Sequence, residues 1–144
     1  LVGELGATTW TTVGSQRRVF VVVPIGSLEQ HGPHLPLGTD TTIAVAIARA
    51  LGERRSEVLV APPIAIGASG EHAGFPGTLS IGIDVLAGVV VELVRSADWA
   101  TGVVLVNGHG GNSAALSGAI DTLRYEQRNV LPWWPAPPPG YVPF

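Results

Sequence analysis

Apolar residues in this chain come in short unbroken runs, each followed by a stretch rich in glycine or proline, and their spacing changes from run to run. Residues 19–25 form a largely β-branched run with no charged or amide side chain, the pattern of a strand buried on both faces, and Gly26 opens a Gly- and Pro-rich loop lasting through Gly38. From Thr41 to Arg55 the apolar positions Ile43, Ala44, Ile47, Ala48 and Leu51 recur at helical spacing, with Thr39 or Asp40 at the expected N-cap. Residues 58–61 read as a second short strand stopped by Pro62-Pro63, and residues 64–80 as a long glycine-rich segment with a brief strand around 78–81. A second apolar helix is expected from Asp84 to Trp99. A buried strand over 102–106 then runs into Asn107-Gly108-His109-Gly110-Gly111-Asn112 and a third helix from about Ser113 to Gln127.

Strand, glycine loop and helix therefore recur in order. That alternation implies right-handed βαβ units and an α/β fold: three αβα layers with a mainly parallel central sheet, whose functional loops lie at the carboxyl ends of the strands. The stretch from Pro132 to Gly140 holds five prolines, which fix φ and remove donors, so it cannot continue a helix or a central strand. The expected organisation is one α/β domain over residues 1–131 and a Pro-rich tail or loop over 132–144.

Composition narrows the function classes. A chain of 144 residues with 46% hydrophobic content supports one core rather than two. Its basic residues are all arginines, scattered without a patch, and the net charge is -3, so nucleic acid is not an expected partner. The longest apolar stretches are too short to cross a bilayer, and the first residues carry no signal-peptide pattern, so no membrane association and a cytoplasmic location are expected. With no cysteine there is no thiolate, and any metal falls to His, Asp and Glu.

All four histidines, His31, His34, His72 and His109, lie in the glycine- or proline-rich segments. Glu29 and His31 are two apart, so an extended backbone puts both on one side, and Asp40 closes the same loop. In a doubly wound sheet the loop after the first strand and the one carrying His109 open on the same edge, so His31 and His109 can meet. Two carboxylates and two imidazoles form an N/O set suited to Zn²⁺, Fe²⁺ or Mn²⁺. Simpler readings stand beside this one. Asp40 could be an ordinary helix cap, His109 a loop hydrogen-bonding group, Glu71-His72 an exposed pair and His34 structural. Without lysine there is no P-loop, and no Gly-x-Ser-x-Gly elbow is present. A nucleotide-binding use of the turn at 108–111 remains the reading from a different class.

Pro24-Ile25-Gly26-Ser27-Leu28-Glu29-Gln30-His31-Gly32-Pro33-His34 with Thr39-Asp40 resembles the first signature of the creatininase family. Gly67-Ala68-Ser69-Gly70-Glu71-His72 with Phe75-Pro76-Gly77-Thr78 resembles its second signature, and the turn at 107–112 its third. The resemblance implies homo-oligomeric assembly and a mono- or dinuclear site, one or two divalent ions per subunit, that hydrolyses a peptide or small amide. It implies Glu29, His31, Asp40 and His109 as ligands, with Asp40 bridging two ions, and Ser69 and His72 as groups that contact substrate or assist proton transfer. Creatininase itself has a glutamate two residues after the third-signature histidine, where this chain has Gly111, which counts against creatinine as substrate. A related branch draws its further carboxylate from a later segment that this sequence does not reach, so the C-terminal part of the family domain is expected to be missing. The opening Gly3-Glu4-Leu5-Gly6 and residues 67–72 are most similar to the mycofactocin-system branch, peptidases that trim a C-terminal dipeptide from a precursor peptide. The alternatives are hydrolysis of a small cyclic or formamide-type amide, and an inactive metal-binding copy.

Overall fold

The computed structural model describes residues 3–136. In chain order the elements are β1 (Gly3–Glu4), a short α1 (Trp10–Gly14), β2 (Phe20–Ile25), α2 (Thr39–Arg54), β3 (Val58–Val60), α3 (Ile83–Ser96), β4 (Gly102–Asn107), α4 (Ser113–Tyr125) and β5 (Val130–Trp133). The five strands form one sheet in the order β1-β3-β2-β4-β5, and every pairing is parallel.

Alternation along β2 sorts its side chains between two cores. Val21, Val23 and Ile25 face Leu86, Val90 and Val94 of α3 and Leu116, Ile120 and Leu123 of α4. Val22 faces the opposite way, with Val60 and Val106, against Ala44 and Ala48 of α2. A strand covered on both faces has no use for polar positions, which is why residues 19–25 are apolar throughout. Ala44 and Ala48, one turn apart and fully buried, let α2 lie close on the sheet. The result is the expected three-layer α/β arrangement, with α2 on one face and α3 and α4, joined by Val13 of the short α1, on the other.

β2 is followed by a helix on one face, and its neighbour β4 by a helix on the other. Their carboxyl ends therefore flank a topological switch point, the place where doubly wound sheets open a crevice.

Several expectations need correction. α2 begins at Thr39 with Gly38 as its N-cap, so neither Thr39 nor Asp40 caps it. Only a single bridge, Leu28 with Leu79, stands where a strand around 78–81 was expected. Pro132 and Trp133 belong to β5, so the proposed boundary at 131/132 falls inside a strand. The strand accommodates its proline because it lies at the sheet edge. Val103 N donates to Asn129 O at 2.9 Å, and the two-residue period then turns Leu131 and Trp133 toward β4 and the nitrogen of Pro132 toward the open side. Residues 137–144, the rest of the expected tail, lie outside the described residues. Among the described residues no helix is long and apolar enough to cross a membrane.

Candidate metal centre

The loop after β2 carries Glu29 and His31, the first turn of α2 carries Asp40, and the turn after β4 carries His109; the fold brings all four together at the switch point. Gly108 makes the approach possible, since a Cβ there would overlap the Asp40 carbonyl oxygen. Asn112 fastens the loops to one another. Its Oδ1 accepts from Ala68 N at 2.9 Å, and its Nδ2 donates to Gly26 O at 3.0 Å and to Asn107 Oδ1 at 3.1 Å. Asn107 in turn donates to the His109 carbonyl at 2.7 Å. Asn112 is fully buried with every loop it joins carrying a member of the cluster, a role that its place in the third signature hinted at but that spacing alone did not reveal.

Asp40 sits in the middle. Its Oδ1 is 2.8 Å from His31 Nε2, its Oδ2 is 3.0 Å from His109 Nδ1, and Ser27 Oγ donates to Oδ2 at 2.7 Å. These partners explain why the carboxylate does not cap its helix: it is already fully engaged on the crevice side. Burial alone would raise the Asp40 pKa, but hydrogen bonds from His109, Ser27 and His31 outweigh it and hold the group at about 2.

His31 and His109 each meet an oxygen at both ring nitrogens. His31 Nδ1 is 3.1 Å from the Glu29 carbonyl while its Nε2 meets Asp40. His109 Nε2 is 3.0 Å from the Ala68 carbonyl while its Nδ1 meets Asp40. A ring with acceptors on both sides asks for two protons, or for one proton and a cation. Burial lowers the pKa of both imidazoles, yet for His31 the Asp40 hydrogen bond and the Glu29 carbonyl prevail, and for His109 the Asp40 hydrogen bond and the Glu29 charge do; both values are raised.

The remaining residues are partly gathered in. Ser69 is fully buried, with Oγ 3.5 Å from His109 Nε2. His72 ends a one-turn helix, Gly70–His72, and its Nε2 lies 3.5 Å from Glu29 Oε1. Gly32 N donates to Gln30 Oε1 at 2.9 Å, which leaves the Gln30 amide nitrogen facing His72 Nδ1 at 3.1 Å. That network assigns Nδ1 as the acceptor and puts the His72 proton on Nε2, toward the cluster. His34 is exposed and apart from the centre. Glu71 is exposed, in keeping with the simpler reading of the Glu71-His72 pair, and at the same time places Oε1 3.5 Å from His109 Nε2.

Two groups of side chains present ligand atoms within 4.8 Å of one another: Glu29, His31 and Asp40, and Glu29, Glu71 and His109. The donor set fits a divalent cation on a further count: Glu29 Oε2 is buried with no hydrogen-bond partner, in a residue 4% exposed, an orphan carboxylate oxygen that a cation would satisfy. Beside the cluster lies a cleft of about 460 Å³ lined by Ala68, Gly70, Glu71, Gly82, Ile83 and Asp84, with Gly111 at its wall.

Fold and cluster together define a doubly wound α/β domain with a carboxylate–imidazole centre in its switch-point crevice. The creatininase family profile, described as creatinine amidohydrolase, matches residues 6–139, and the chain belongs to that family. It is 49% identical over 153 aligned positions to the mycofactocin precursor peptide peptidase of Mycobacterium tuberculosis (strain CDC 1551 / Oshkosh), covering 99% of this chain and 60% of that relative. Among solved structures, a tryptophan-to-alanine mutant creatininase matches with a TM-score of 0.79 at 28% identity, over 93% of this chain and 58% of the other. A structure named "Creatininase Mn" matches with a TM-score of 0.77 at 27% identity, over 93% and 58%. The chain thus spans about three fifths of the length of each of these three proteins.

Proposed function

We propose that this chain acts as a metal-dependent amide hydrolase whose substrate is a precursor peptide, from which it removes a C-terminal dipeptide. The observation that carries the reading is the buried convergence of Glu29, Asp40 and His109 with His31 around an orphan carboxylate oxygen. The peptide substrate is supported by the likeness to the mycobacterial peptidase, and the absence of a side chain at Gly111 argues against creatinine.

In this reading Glu29, His31, Asp40 and His109 hold Zn²⁺, Fe²⁺ or Mn²⁺. Such an ion supplies Lewis acidity toward a carbonyl oxygen and makes nearby water acidic enough to deprotonate near neutral pH. Asp40 positions both imidazoles at once, and the Glu29 carbonyl fixes the outer nitrogen of His31. His72, held by Gln30 with its proton on Nε2, is placed to contact substrate by donating a hydrogen bond through that N–H, and a proton transfer through it would require Gln30 to release Nδ1 for a second proton. Ser69 Oγ lines the same corner.

The test is release of dipeptide from a peptide ending in Val-Tyr, followed by mass spectrometry, for the chain after chelation and after return of Zn²⁺, Fe²⁺ or Mn²⁺. Turnover is expected only with metal, and Asp40→Asn and His109→Ala should each lose metal and about 100-fold or more in rate. Unchanged turnover in the chelated protein and in both variants rejects the reading. A cyclic amide run in parallel separates the peptidase from a small-amide hydrolase.

A further inference from the structure

We infer that Glu71 is itself a metal ligand, closing a second divalent-cation pocket with Glu29 and His109. The inference rests on the metal-dependent reading above and extends it to a residue outside the four ligands proposed there.

Three observations converge on the pocket. Glu71 Oε1 lies 3.5 Å from His109 Nε2, and Glu29 Oε2 lies 3.2 Å from the same nitrogen. That Glu29 oxygen is the buried one without a hydrogen-bond partner, so a solvent-shielded negative atom is aimed at this point and accepts no hydrogen bond there, with only the His109 ring beside it. Two carboxylates that share one imidazole nitrogen repel each other unless a positive charge stands between them.

The third observation is steric. A Cβ at residue 111 would overlap Glu71 Oε1, His109 Nε2 and the Ala68 carbonyl oxygen, so the volume that a side chain at 111 would fill already holds the Glu71 carboxylate. Glu71 reaches that volume from the loop after β3, on the one-turn helix Gly70–His72, and so brings a carboxylate to a place the turn after β4 leaves bare. With Nε2 turned to the cation, His109 keeps its proton on Nδ1 and donates it to Asp40 Oδ2, the carboxylate-backed imidazole usual at metal sites. Glu29 is common to both groups of ligand atoms and so ties this pocket to the one that His31 and Asp40 form. Of the three residues only Glu71 also lines the adjoining cleft, so the pocket opens on that cleft through Glu71.

The experiment uses the full chain, stripped with a chelator, dialysed against Zn²⁺ and counted for metal by mass spectrometry, with Co²⁺ loading followed by visible absorption. Glu71→Gln keeps the size of the side chain and, being half exposed, should leave the melting temperature of the metal-free protein unchanged. It is expected to lose one Zn²⁺ per chain, or to weaken one uptake step by about 10-fold or more, and to alter the Co²⁺ spectrum. Glu71→Asp, one methylene short, should fall between. Zinc titration and Co²⁺ spectrum identical to the unaltered chain overturn the inference. Asp40→Asn in the same dialysis separates the two levels: if it alone loses metal, only the role of Glu71 is rejected, and if neither variant differs from the unaltered chain, the metal-dependent reading fails with it.

Discussion

Asp40 carries three hydrogen-bond partners on two oxygens, and that single arrangement links the charge of the centre to the stability of the metal-free protein. His31 and His109 have pKa values raised above 6.5, so each favours the folded state fully below that value and loses its contribution as pH rises through the raised one. Asp40 is lowered from 3.8 to about 2, so its contribution is present above pH 3.8 and disappears as pH falls toward 2. The chelated protein should therefore melt highest between about pH 4 and 6.5 and lose stability on either side. Zinc should reverse the alkaline limb, because binding requires the imidazoles to give up those protons. Melting curves from pH 3 to 9, followed by circular dichroism with and without Zn²⁺, check both limbs; a chelated protein whose melting temperature rises from pH 6 to 8 contradicts the assignment of protons.

Among the elements, β5 separates what periodicity reveals from what it hides. Leu131 turns its peptide nitrogen to β4 whereas the nitrogen of Pro132 faces the open edge. Pro132→Val should shift the unfolding free energy by no more than about 1 kcal/mol, whereas Leu131→Pro should cost about 1–3 kcal/mol through a lost ladder bond, both read from urea denaturation. β2, β3, β4 and the three long helices were legible because each buries a continuous run or a 3.6-residue stripe, signals that live within a dozen residues. β1 is two residues long and exists through its pairing with Leu59 and Val60, and α1 spans five residues with Trp10 exposed, so neither leaves a periodic trace. The same distinction governs the centre. Glu29, His31, Asp40 and His109 stand in recognisable signatures, but the inward aim of Glu71 depends on the bare backbone at Gly111, forty residues further along, and Asp40 is kept from capping α2 by Ser27 and His31 of its own loop and His109 of another, contacts that no helical spacing displays.

At the scale of the whole molecule the two faces of the sheet are unequally covered. α3 and α4 share one face, while α2 alone covers the other and leaves an apolar groove of about 390 Å³ along Ile47, Leu51, Val104, Val106, Leu131 and Trp133. Such a groove should bind a hydrophobic dye, and Leu131→Lys, at a position already exposed, should remove most of that fluorescence without lowering the melting temperature; an unchanged signal would place the dye elsewhere. The crevice at the other end of the strands has a different consequence. The turn leaving β2 leads into one outer layer and the turn leaving β4 into the opposite one, so an ion held by both, as proposed above, would act as a rivet through the laminate, beside the seam that Asn112 and the Asp40–His109 contact already stitch. Removal of the ion is expected to show first as faster amide exchange in the two turns it would join, before either α2 or α4 melts.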